Sequence, residues 1–250
     1  MDLGIAGKRA AVAAGSAGLG LGAARALAAE GVQVAICGRD LARAEAAAAD
    51  IGAIALMADM SDPDQATGFI GDAAERLGGT IDIVVANAGG PPAGTFASTD
   101  LDGYRQALDL NLLSSIALCQ AAVPAMQLQG WGRVVAITSI GVRQPPPHLM
   151  ASATARAGLT AFLKVLATEV ARDGVTVNSA QPGLHDTDRV RQLYGGGGAP
   201  PPEAADAIPV GHIGDADDFG AVVAFLCSRQ AGFITGAGLL VDGGAFPGLV

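Results

Sequence analysis

The chain has 250 residues, half of them apolar and only 16% charged, with a formal net charge of −9 at neutral pH. That length suits one large α/β domain with a full core. The acidic balance argues against nucleic acid or an anionic membrane surface as a partner, and no uninterrupted apolar run reaches the ~18 residues of a membrane span.

The first element is a small apolar run, Arg9 to Ala14, which reads as a strand. A glycine turn follows, made of Gly15, Ser16, Ala17, Gly18, Leu19 and Gly20. An Ala/Leu-rich helix then runs to Glu30, Gly31 stops it, and a second strand covers Val32 to Cys37. Strand, turn, helix and strand make one βαβ unit. Glycine lets the backbone of such a turn approach a pyrophosphate, and the free N–H groups of the next helix supply positive potential for the anion. The chain holds 36 glycines, about twice the usual ~7%, so the turn gains its meaning from its position between strand and helix.

A helix is expected over Leu41–Asp50 and a strand over Ala53–Ala58, ending at Asp59 and Met60. Ser61-Asp62-Pro63 opens a helix to Leu77, with Pro suited to the first turn. Ile81–Ala86 reads as the fourth strand, followed by Asn87-Ala88-Gly89-Gly90. One long helix is expected from Leu101 towards Gln129, kinked or ended at Pro124. Arg133–Thr138 is the fifth strand, ending at Ser139; a helix follows over Met150–Arg172, and Val175–Ser179 is the sixth strand. Tyr194–Pro202 is a breaker-rich loop, Ala216–Ser228 a last helix and Leu239–Asp242 a seventh strand.

The strands are near-continuous apolar runs that alternate with helices. This predicts a Rossmann-like, doubly wound parallel sheet of about seven strands with helices on both faces, in a single domain over residues 1–250. Ligands of such sheets lie outside the carboxyl ends of the strands. Gly15–Gly20, Gly38-Arg39, Asp59, Asn87–Gly90, Ser139 and Pro182-Gly183 all fall there. There is no internal repeat. Cys37, Cys119 and Cys227 are scattered among apolar neighbours without metal spacing, and read as reduced core thiols of a cytoplasmic protein. The N-terminus lacks the apolar core of a signal peptide. So low a charged fraction points to surface buried between subunits, hence a homo-oligomer.

With these pieces in place the chain resembles a short-chain dehydrogenase/reductase (SDR), in the region of the 3-oxoacyl-ACP reductases, over essentially its whole length. The resemblance rests on the glycine turn, Asp59, Asn87-Ala88-Gly89, Asn111 within Asp109-Leu110-Asn111, Ser139, Pro182-Gly183 with Thr187, and Val241-Asp242-Gly243-Gly244. It implies an NAD(P)(H)-dependent oxidoreductase acting on a small carbonyl, enone or imine compound, in a dimer or tetramer packed through helices 101–129 and 150–172. It also implies that Asp59 and Met60 face adenine. Asn87, Ala88 and Gly89 would lie beside the ribose, where Asn87 also ties strands together. Pro182, Gly183 and Thr187 would reach the nicotinamide amide, with residues 183–212 as a substrate loop or lid. At the end of the second strand an acidic residue would hold the 2′-hydroxyl of NAD; Gly38 and Arg39 stand there instead, and a guanidinium pairs with the 2′-phosphate of NADP. NADP is therefore the expected cofactor, with NAD as the other option. No metal is expected.

Two departures from the family stand out. Its turn begins Thr-Gly, where this chain has Ala13 and Ala14, with Gly15 one position late. Its catalytic Tyr and Lys fall, at family spacing from Ser139, on Ser152 and Arg156. The Tyr phenol, with a pKa of ~10, donates the proton to the substrate oxygen. A serine hydroxyl is a weaker acid and stops several Å short, and a guanidinium does not pass a proton on. The expected roles are that Ser139 hydrogen-bonds the substrate oxygen, Arg156 holds the ribose and supplies fixed charge, and Asn111 is left with a structural part or a water of the relay. Divergent SDRs with Ser-x-x-x-Arg, followed by Ala-Gly-Leu and an Asp-Thr-Asp-Arg loop as in Asp186–Arg189, resemble this chain and are described only as reductases. Replacement acids to weigh are His148, His185, Tyr104 and Tyr194. Arg143, Arg189 and Arg191 are candidates for an acidic substrate tail. Two other functions stay open: a non-catalytic NADP-binding sensor, and a lyase like the halohydrin dehalogenases, which keep the Tyr and lose the phosphate turn.

Overall fold

Seven strands without polar alternation leave no face for water, and they assemble accordingly. In the computed structural model, which describes residues 1–194 and 200–249, Arg9–Val12 (β1), Gln33–Gly38 (β2), Ile54–Met57 (β3), Ile83–Ala86 (β4), Gly132–Ile137 (β5), Val175–Pro182 (β6) and Gly238–Val241 (β7) form one sheet. All neighbours are parallel, in the order β3-β2-β1-β4-β5-β6-β7. β5 and β6 are buried at every residue, as a strand covered on both faces must be.

One face carries α1 (Gly18–Ala29), α2 (Leu41–Ile51) and α9 (Ala216–Cys227) over a core that includes Leu27, Ile36, Val85 and Phe219. The other carries α3 (Pro63–Leu77), α5 (Ser114–Gln129) and α6 (Met150–Val170) over Phe69, Leu118, Met126 and Leu159. Burying a phenylalanine such as Phe69 or Phe219 contributes about 2 kcal/mol. Between α1 and α9 the apolar residues give way to glycine. A Cβ on Gly22 would overlap the carbonyl of Ala216, and one on Gly220 would overlap the carbonyl of Gly22. Backbone meets backbone there, with no side chain between.

The stretch 101–129 departs from expectation. It is α4 (Leu101–Leu108), a π-helical turn (Asp109–Leu113) and then α5, and Pro124 neither ends nor interrupts α5. Pro124 lies on the exposed side beside exposed Gln120, whose carbonyl loses its i+4 donor where water can replace it. The extra residue of the π turn puts Asn111 inside the fold, 1% exposed. By length and hydropathy, Leu101–Gln129 would pass for a membrane span, but half of its most apolar window is buried inside the fold, as befits a core helix. β6 continues to Pro182, three residues beyond the expected Ser179, and two short helices, α7 (Asp188–Leu193) and α8 (Pro202–Asp206), flank the expected Tyr194–Pro202 loop.

The strand order reverses between β1 and β4. A crevice therefore opens above their carboxyl ends, the usual ligand position in such sheets.

Candidate active site

The glycine turn leaves β1 through one strained residue. Ala14 has φ +46°, the only positive φ outside glycine among the described residues. The left-handed region costs an alanine roughly 1 kcal/mol. The turn is held there from below: the Ala13 N–H donates to Val85 O (3.0 Å), the Ala14 N–H points at Cys37 Sγ (3.4 Å), and the Gly15 N–H donates to Cys37 O (2.9 Å). Asn87 ties the turn from the side, its Nδ2 donating to Ala14 O at 3.2 Å. Ala14→Gly removes the strain and should raise the melting temperature by about 1–2 °C, the relief exceeding the extra unfolded-chain entropy of glycine; a lower melting temperature would show that the Ala14 methyl group packs better than it strains.

The next residues make a cradle for an anion. Gly18 has φ +54°, which favours glycine, and a Cβ on Gly20 would stand 2.6 Å from both Ala14 O and Asn87 Nδ2. Asp40, Asp62, Asp100 and Asp215 cap α2, α3, α4 and α9, but no side chain caps α1 and no acid lies in its first turn. Its first N–H groups, at Gly18, Leu19 and Gly20, are left for a ligand. This is the shape and polarity a dinucleotide pyrophosphate needs.

Around the cradle the other strand ends converge. At β2, buried Ser16 lies against Gly38, where a Cβ would stand 2.7 Å from Ser16 Oγ; Arg39 beside it is exposed, and Asp40 is occupied in accepting from the Arg43 N–H. After β3, Asp59 accepts from the Ser61 N–H at 2.9 Å, while the Met60 side chain is buried in the core, which leaves only its backbone for a ligand. Beyond β4, Ala88 packs on the core and Gly89 is exposed, its carbonyl accepting from Asn111 Nδ2 at 2.9 Å. Asn111 Oδ1 is buried with no protein donor. A π turn with an open buried acceptor is the local irregularity that marks functional sites.

Beyond β5, Ser139 Oγ accepts from the Gly141 N–H at 2.9 Å, which leaves its own proton to donate. Ser152 and Arg156 stand one turn apart on α6. Arg156 Nε donates to Ser152 Oγ (3.3 Å), and Nη1 donates to the carbonyls of Ile137 (2.8 Å) and Thr138 (3.1 Å). Burial, and then the like charge of Arg189, push the Arg156 guanidinium down to about 10, still protonated at neutral pH. At β6, Pro182 is buried and the Gly183 N–H donates to Val241 O. Thr187 caps α7, and its methyl group lies 3.4 Å from the position a Cβ would take on Gly18, so the β6–α7 segment arches back over the cradle.

The replacement acids are placed less favourably. His185 is 5% exposed, edge-on to Phe219, with Nδ1 at 3.3 Å from Gly183 O, and burial lowers its pKa; it is packed under the loop rather than set over the crevice. His148 is exposed, and its carbonyl accepts from the Gly94 N–H. Tyr104 packs with Ala107, Ala151 and Ala155 between α4 and α6. Tyr194 is 48% exposed at the end of α7. Of the candidate arginines, Arg143 is held by Gln181 Oε1 and Gly238 O, and Arg191 pairs with Asp186. Arg189 remains: it lies over Gly90 and donates to Pro91 O. Residues 195–199 of the expected lid lie outside the described residues. Sequence reasoning named Arg189 as a candidate for an acidic tail but not its reach across Gly90, and it missed the Gly22–Gly220 contact.

The sheet order, the crevice at its reversal and the cradle there define a dinucleotide-binding protein of the doubly wound class. A family profile described as enoyl-(acyl carrier protein) reductase matches residues 13–245. The chain is 34% identical to L-fucose dehydrogenase of Oryctolagus cuniculus over 96% of its own length and 85% of that protein's. It is 33% identical to the 3-oxoacyl-[acyl-carrier-protein] reductase of Escherichia coli, covering 96% and 98%. The structure of L-sorbose reductase from Gluconobacter frateurii, complexed with NADPH and L-sorbose, superposes with a TM-score of 0.91 at 27% identity over the whole of both chains. The chain belongs to the short-chain dehydrogenase/reductase family, as a 3-oxoacyl-ACP reductase-like member that binds NAD(P).

Proposed function

We propose that the protein is an NADP-preferring reductase of a small carbonyl, enone or imine compound that works without a tyrosine acid. The observation that carries this reading is the set of Ser139, Ser152 and Arg156 at the ends of β5 and α6, beside an intact dinucleotide cradle. Bound at the crevice, the nicotinamide supplies or accepts the hydride. Gly15 to Gly20 hold the pyrophosphate, with Asp59 and the Met60 backbone near adenine, Asn87 to Gly89 beside the ribose, and Pro182, Gly183 and Thr187 over the nicotinamide. Ser152 and Arg156 take the places of the family's Tyr and Lys. Ser139 donates to the substrate oxygen. Arg156, anchored on the Ile137 and Thr138 carbonyls, presents its remaining N–H groups and a permanent charge to the ribose and substrate. The proton comes from water or through the Ser152 hydroxyl, which is polarised by Arg156 Nε. The β6–α7 segment serves as a lid.

Exposed Arg39, with Ser16 against Gly38 and Asp40 turned to its helix, supports the choice of NADP. The expected result is that NADPH binds at least about tenfold more tightly than NADH, which one charge-assisted pair can supply. Melting temperature is the better readout, because the single tryptophan, Trp131, lies at the other end of the strands between Lys8 and Arg133. Equal shifts with the two coenzymes would refute the role of Arg39. We place the protein in the cytoplasm, and in an oligomer that covers exposed Leu113, Leu128 and Val165 on α5, α6 and the turn before α5.

A further inference from the structure

Two guanidinium groups lie at the crevice, and among the described residues neither pairs with a carboxylate. Arg156 lies on the carbonyls at the end of β5; Arg189 lies over Gly90 and holds the Pro91 carbonyl, just beyond the end of β4. β4 and β5 are neighbours in the sheet. The like charge of Arg189, after burial, disfavours the charged form of Arg156. Among the other arginines that are not fully exposed, Arg191 pairs with Asp186, Arg133 and Arg143 are held by carbonyls and stand over the Trp131 and Phe246 rings, and Arg9 donates to the Leu77 carbonyl away from the crevice. Among the described residues Arg189 has one acceptor for its five N–H groups, and Arg156 has no hydrogen bond from Nη2.

Partly buried charges are ordinarily paired, because leaving water unpaired is costly. In a chain with 24 acidic and 15 basic residues, an acidic partner would have been easy to place. We propose that Arg156 and Arg189 form an anion subsite for the substrate, so that the compound reduced carries a carboxylate or phosphate next to its reacting carbonyl: an oxo acid or an oxo phosphate. The coenzyme's own pyrophosphate is the other source of such an anion. It has its cradle at the end of β1, whereas the Arg189 guanidinium lies beyond the end of β4 and Arg156 at the end of β5. Arg156 stands instead beside Ser152 on α6 and the carbonyls that lead into Ser139, where the reacting oxygen is placed. The inference rests on the reductase reading above, for the position of that oxygen.

The test is binding, and needs no turnover. Acetoacetate and methyl acetoacetate are titrated into the NADP⁺ complex of the wild type, in which neither can be reduced. Acetoacetate should bind at least tenfold more tightly than the ester. Arg189→Gln should remove that preference while NADP⁺ affinity changes less than threefold. Equal binding of acid and ester in the wild type overturns the subsite, and this comparison stands even if the variant fails to fold. A parallel loss of NADP⁺ affinity in Arg189→Gln assigns the arginine to the pyrophosphate and also overturns it. Failure of the wild type to bind NADP⁺ at all would instead strike the reductase reading.

Discussion

Ser152→Tyr combined with Arg156→Lys should raise kcat/KM for a simple ketone at least about a hundredfold, the lower end of what a positioned general acid contributes. That factor is about 2.7 kcal/mol of barrier. α6 already sets positions 152 and 156 one turn apart on one side, in hydrogen-bond contact through Arg156 Nε and Ser152 Oγ. A phenol at 152 reaches several Å further than the hydroxyl now there, and its pKa of ~10 can be lowered by a neighbouring cation. Lysine at 156 adds a cation that exchanges protons, whereas a guanidinium held at about 10 stays charged throughout the neutral range. The measurement is initial rate against ketone concentration with NADPH, alongside NADPH affinity. If the double variant binds coenzyme as the wild type does and its rate on the ketone is unchanged, the missing phenol is not what limits the chemistry.

Gly22→Ala should be the most damaging single methyl group in the chain, costing about 3 kcal/mol, or roughly 6–12 °C in melting temperature for a protein of this size. The new Cβ would sit on the Ala216 carbonyl at the start of α9. Backbone cannot rotate out of the way as a side chain can, and the Gly220 position, which meets the Gly22 carbonyl, closes the other side of the contact. α1 would have to lift from α9, and α1 carries the anion cradle at its first turn. Coenzyme affinity should therefore fall together with stability. A melting temperature within 2 °C of wild type would show that the two helices part more easily than their spacing suggests.

The seven strands were legible because continuous apolar runs such as Ile83–Ala86 and Arg133–Thr138 admit few other readings. The strand-end residues were legible for the same reason: once the sheet is parallel, its carboxyl ends form a single edge. Three things were hidden. The π turn at Asp109–Leu113 inserts one residue into a helix whose hydropathy period hardly registers it, so the break was expected at Pro124, where α5 runs on. The Gly22–Gly220 contact joins residues about two hundred positions apart, and nothing local marks either glycine. The direction of Arg156, inward onto the Ile137 and Thr138 carbonyls, follows from the packing of α6 on β6, the neighbour of β5, rather than from its spacing to Ser139.

The three thiols carry a practical consequence. Cys37 lies in the sheet beneath Ala14, Cys119 in one helical layer and Cys227 in the other, and burial pushes each thiol up to about 12. No thiolate is then presented to an oxidant or an alkylating reagent while the sheet keeps its two covers. Each cysteine can be modified only when its own layer opens. The chain thus holds three clocks, one per layer, whose labelling rates would show whether the molecule comes apart layer by layer or all at once.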